Sequence, residues 1–185
     1  YTTNASMFDT DNDGLEDGEE IALGLDLYIT HANNSDTDND TLSDYEEINA
    51  WDLYNRSSSD PTKMDTDNDT MPDPYELANG FDPGKQIDGW LDADFDGFDS
   101  NHDGFLTQSE YYTNAMEYLW DTDPKVPDSA SDGLPDGWEF FWGLDPRVPD
   151  SDLDVDNDTL TNAQEYDNRI IDAAIISTNN PDIKG

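Results

Sequence analysis

The chain is 185 residues long, 34% hydrophobic, and carries a formal charge of −39, with 46 acids against seven Lys and Arg. That balance excludes nucleic acid as a partner, since a polyanion repels another. No stretch reaches the roughly 20 apolar residues that a membrane span needs, and the lack of cysteine removes disulfides as the staple of a thin core.

So acidic a composition is also that of a disordered chain, but two features oppose disorder. Aromatic residues reach 11%, and 36 of the 46 acids are Asp, spaced regularly along the chain. Short, stiff carboxylates suit ligation better than solubility. The chain opens at Tyr1 without Met, as a processed mature form or an excised segment would. Residues 1–8 read as an N-terminal lead-in, 9–166 as an array of loop-helix repeats, and 167–185 as an apolar segment and tail.

The first loop places Asp9, Asp11 and Asp13 at positions one, three and five, Gly14 at six, Leu15 at seven, Asp17 at nine and Glu20 at twelve. This is the spacing of a calcium loop. Alternate residues on a tight turn point carboxylates at one centre, the carbonyl of position seven adds an oxygen, and the acid at twelve closes the far side. The second loop repeats it with Asp36, Asp38, Asp40, Leu42, Asp44 and Glu47, and the third with Asp65, Asp67, Asp69, Met71, Asp73 and Glu76.

The fourth loop runs through Asp92, Asp94, Asp96 and Phe98, and its twelfth position falls on Asp103. Asp103 is also position five of the fifth loop, Asp99, Asn101, Asp103, Gly104, Phe105 and Glu110, so the count along the chain predicts two ions sharing one carboxylate. The sixth, Asp128, Asp132, Leu134, Asp136 and Glu139, has Ala130 where a ligand belongs. The seventh is Asp154, Asp156, Asp158, Leu160, Asn162 and Glu165. Apart from the close pair at 92 and 99, the starts lie 26 to 29 residues apart, within the range of repeat arrays. The expected cofactor is calcium, about five to seven ions.

After each loop a short helix is expected. Asp73 is placed as an N-cap with Pro74 at the first helical position and Gly80 as the stop, and Gly143 ends a helix following Asp136. Such helices need tertiary contacts to persist, and Ile21, Leu25, Ile48, Trp51, Tyr75, Phe81, Tyr111, Trp120 and Tyr166 are expected to form small cores with Leu15, Leu42 and Leu134. The fold class is mostly irregular and small-α, with little β structure.

The lead-ins Asn33-Asn34-Ser35 and Asp60-Pro61-Thr62 favour turns over the incoming helix of an EF-hand. With the run Asp9-Thr-Asp-Asn-Asp-Gly-Leu-Glu-Asp-Gly-Glu-Glu20 and its copies, the chain resembles the thrombospondin type 3 repeats and related repeats of microbial surface proteins over residues 9 to 166. The resemblance implies an extended, calcium-stapled extracellular segment with no catalysis of its own. The family's disulfides are missing, and several loops lack the usual Gly.

Those loops carry Thr41, Thr70 and Thr159 at position six, and each completes an N-glycosylation sequon, at Asn39, Asn68 and Asn157. Further sequons stand at Asn4, Asn33 and Asn55. His31 and His102 lie beside no nucleophile arrangement, so the chain is not read as an enzyme. The expected role is structural: a glycosylated subunit of a surface filament, sheath or adhesin stalk, at the cell surface or outside it, that self-associates or attaches to other surface proteins. The apolar stretch 170–176 is the expected contact. The alternative is an accessory calcium-binding module of a secreted enzyme, or a dockerin-like protein-binding module.

Overall fold

A computed structural model describes residues 3–4, 6–23, 27–49, 56–100 and 104–168. Leu25, Trp51, Asn55, Asn101, His102, Asp103 and the stretch 170–176 lie outside the described residues. The fold is mostly irregular, and the described residues contain no strand. They form short helices α1 (Asp17–Glu20), α2 (Asp44–Ile48), α3 (Asp73–Asn79), α4 (Asn114–Trp120), α5 (Asp136–Trp142) and α6 (Asn162–Asn168), with one 3-10 turn at Asp88–Trp90. None is long and apolar enough to cross a membrane. The chain divides into two compact units, Tyr1–Trp90 and Leu91–Gly185.

Within each unit the loops share one backbone design. The N–H of position six donates to the carboxylate of position one in every loop, from Gly14 to Asp9 (3.2 Å), Thr41 to Asp36 (3.1 Å) and Thr70 to Asp65 (3.2 Å) through to Thr159 to Asp154 (3.0 Å). Position nine then closes the turn: Asp17, Asp44, Asp73, Asp136 and Asn162 donate their N–H to the carbonyl just before position one, at 2.8 to 3.1 Å. The sharp turn survives the loss of glycine. Thr41 and Thr70 both hold φ 95°, and Thr159 holds φ 87°, a left-handed conformation that β-branched residues normally avoid.

The helix signals hold with a shift of one residue. Gly80 (φ 75°) and Gly143 (φ 81°) are the C-caps of α3 and α5, as only a residue free of Cβ strain adopts that geometry cheaply. The N-cap of α3, however, is Pro72, and Asp73 is the first helical residue. Its carboxylate is turned away from its own helix toward Thr66.

The core is thinner than expected and differently made. Leu15, Met71 and Leu134, all at position seven, are buried with Ala32, Tyr112 and Trp138, whereas Ile21 and Trp120 are 54% and 38% exposed. The reason lies in the helices: their inward residues are acids. Glu20, Glu47, Glu76, Glu117 and Glu139 are each at most 2% exposed, so most apolar side chains of these one- and two-turn helices, Trp138 excepted, are left to the rim.

Candidate metal centres

The acids fall into two kinds of group. Asp9, Asp11 and Asp13 come together inside one loop, as do Asp36, Asp38 and Asp40, with ligand atoms within 4.8 Å of one another. The second kind joins consecutive repeats. Asp13 and Glu20, positions five and twelve of the first loop, meet Asp44, position nine of the second. Asp40 and Glu47 meet Asp73 of the third in the same way. Position nine therefore serves the preceding repeat.

The third loop finds its bridging acid elsewhere. Asp67, Asp69 and Glu76 are joined by Asp88, which opens the 3-10 turn Asp88-Gly89-Trp90. The same tripeptide recurs as Asp136-Gly137-Trp138 at the start of α5, where the Gly137 N–H donates to Asp96 of the fourth loop at 2.7 Å. Both glycines are forced. A Cβ on Gly137 would lie 2.4 Å from the Asp96 carbonyl oxygen, and one on Gly89 2.2 Å from Asp69 Oδ2. In the sixth loop the corresponding neighbour is Asp150, whose N–H donates to Asp132 at 2.7 Å and whose charge bears on Glu139.

In the first three loops position nine is fixed by a hydroxyl at position two. Thr10 gives its N–H and its hydroxyl to Asp17 (2.7 and 2.8 Å), Thr37 to Asp44 (2.8 and 2.8 Å) and Thr66 to Asp73 (2.8 and 2.7 Å). The same hydroxyl accepts from the incoming backbone: Asn4 to Thr10, His31 to Thr37 and Asp60 to Thr66, at 2.7 to 3.0 Å.

The bridging groups are largely buried and made of acids, with the charge of Lys85 acting on Asp88. Among the described residues the ion pairs are Lys63 with Asp60, Lys85 with Asp82, and Arg147 with Asp145 and Asp121. Burial, then the charges of Asp69, Asp67 and Asp88, pushes the Glu76 carboxyl up to about 10. Burial and the neighbouring aspartates push Glu47 and Glu139 up to about 9 and Glu20 to about 7. Both carboxylate oxygens of Glu76, Glu117 and Glu139 lack a hydrogen-bond donor, as does one oxygen each of Asp13, Asp38, Asp40, Asp67 and Asp96. Unpaired buried carboxylates are costly. All-oxygen clusters of this sort fit a hard cation, whose charge and coordination would satisfy those oxygens.

The fifth loop behaves differently. Glu110 accepts the N–H and hydroxyl of Ser100 (3.0 and 2.7 Å) and of Thr107 (2.9 and 2.7 Å), and these hydrogen bonds hold its carboxyl down at about 2. Its oxygens already have donors. Gly104 keeps its bond to Asp99 at 2.8 Å, while Phe105 is 76% exposed.

At position seven, Leu15, Leu42, Met71, Leu134 and Leu160 donate their N–H to the acid at position five, at 2.8 to 3.1 Å. Phe98 instead packs on Phe141 and Trp142, with ring centroids 4.7 and 5.8 Å away. Asn39, Asn68 and Asn157 are exposed, as are Asn4 and Asn33. Glu117, Asp88 and Asp150 were not among the acids the spacing singled out. No protein-family model, curated protein or solved structure matches the chain.

Proposed function

We propose that this chain is an extracellular structural protein in which calcium ions staple successive repeats. One observation carries the reading: acids five and twelve of one loop stand with acid nine of the next, Asp13 and Glu20 with Asp44, within 4.8 Å. Opposite ligands of a calcium ion lie about 4.6–5.2 Å apart, and its flexible coordination shell accepts clusters of irregular shape. An ion there crosslinks two consecutive repeats. The reading does not depend on the likeness to thrombospondin type 3 repeats.

Exposed sequons at Asn39, Asn68 and Asn157, on the outward position of each loop, support a glycan coat. A metal-stapled, glycosylated array suits a stalk or filament subunit. The test is chelation. Near-ultraviolet dichroism of the Trp residues collapses in excess chelator and returns with calcium. A spectrum and melting temperature unchanged by chelator would end the proposal.

A further inference from the structure

The fourth loop is interrupted. Gly97 occupies position six, its N–H donating to Asp92 at 3.1 Å. In intact loops position seven follows at once, and in the first, third and sixth it is buried. Here the buried residue in that place is Tyr112, 1% exposed, followed by Thr113, the N-cap of α4. Asn114 then acts as position nine: its N–H donates to the Leu91 carbonyl at 2.8 Å, and its side-chain oxygen accepts the Ala93 N–H at 3.1 Å. The ends of the intervening stretch meet, with the Phe98 N–H donating to the Glu110 carbonyl at 2.9 Å.

Glu117 follows Asn114 as Glu47 follows Asp44. It is 0% exposed, and neither of its oxygens has a hydrogen-bond partner. The charges acting on it are those of Asp94, Asp96, Asp92 and Asp136. One oxygen of Asp96 also lacks a partner, while the other accepts from Gly137.

We propose, on the calcium reading above, that residues 98–111 are an insertion within a complete cation site, and that Asp94, Asp96, Glu117 and Asp136 hold a calcium ion at its base. The donors are all carboxylates, which selects a hard divalent cation. The bridging geometry seen between other consecutive repeats is thereby completed across the insertion, by an acid that counting along the chain does not reach.

Native mass spectrometry in calcium tests this on the full chain, on Glu117→Gln, and on a chain in which Gly97 is joined to Tyr112. Glu117→Gln should carry at least one ion fewer than the parent while keeping the rest. The shortened chain should keep the Glu117-dependent ion and lose it when Glu117→Gln is added. A full complement on Glu117→Gln overturns the assignment, as does loss of every ion, which would make Glu117 a support of the fold at large. Loss of the Glu117 effect in the shortened chain overturns the insertion. A parent that takes up no calcium defeats the proposed function itself, a separate and recognisable result.

Discussion

Thr37 and Asp44 are joined by two hydrogen bonds of 2.8 Å, from the N–H and the hydroxyl of one to the two carboxylate oxygens of the other. Asp44 at the same time stands with Asp13 and Glu20 of the repeat before. A loop's own closure thus aims the acid that its neighbour uses. Replacing Thr37→Val keeps the shape and the N–H bond but removes the hydroxyl. Hydrogen bonds to charged groups contribute about 1.5–3 kcal/mol, so denaturation in saturating calcium should show a loss near the lower end of that range. Calcium should bind more weakly as well.

Glu76→Gln should change sign with conditions. Glu76 is fully buried beside three aspartates and keeps its proton in the metal-free fold, so a neutral amide removes the cost of taking that proton up and raises the melting temperature. In calcium it removes a charged ligand, and the melting temperature falls below that of the parent. Thermal unfolding with chelator and with calcium reads both arms.

The same burial fixes a pH dependence. Glu47, Glu76, Glu117 and Glu139 are raised in the fold from 4.5 to about 9 or 10. Between those values the unfolded chain has released protons that the fold retains. The metal-free fold is therefore most stable below about pH 4.5 and loses stability as pH rises toward 9–10. Calcium reverses the trend, because protons compete for its oxygens. Melting temperature against pH, with and without chelator, should give slopes of opposite sign.

Thr41 at φ 95° stores strain of about 1 kcal/mol. Thr41→Gly in unglycosylated protein should stabilise the calcium form by about that amount in chemical denaturation, while destroying the sequon at Asn39. In natively sourced protein, peptide mapping should find glycan on Asn39, Asn68 and Asn157; unmodified Asn at all three would remove the extracellular argument.

Much of the site was legible because a loop's ligands are close in sequence. The spacing of Asp9, Asp11, Asp13 and Glu20 marks both the loop and its helix. The bridging role of Asp44 was not legible, because it joins residues 24 or more positions away, although the recurring hydroxyl at Thr10, Thr37, Thr66 and Ser129 was a visible mark of how position nine is held. Counting twelve from Asp92 stops at Asp103, short of Glu117, because an insertion changes chain distance without changing position in space. The sequence Thr113-Asn114 with Glu117, parallel to Ser43-Asp44 with Glu47, was the available signal. For Asp88 it was the repeated Asp-Gly-Trp. The exposure of Ile21 and Trp120 follows from helices that turn their glutamates inward, which apolar periodicity cannot register.

The most direct test is an X-ray structure of the protein crystallised in calcium, with ions located by anomalous scattering. The account predicts an ion held jointly by Asp13, Glu20 and Asp44, and another by Asp40, Glu47 and Asp73, each ligated from two repeats. Ions confined within single loops, with Glu20 and Glu47 left out of every coordination shell, would contradict it.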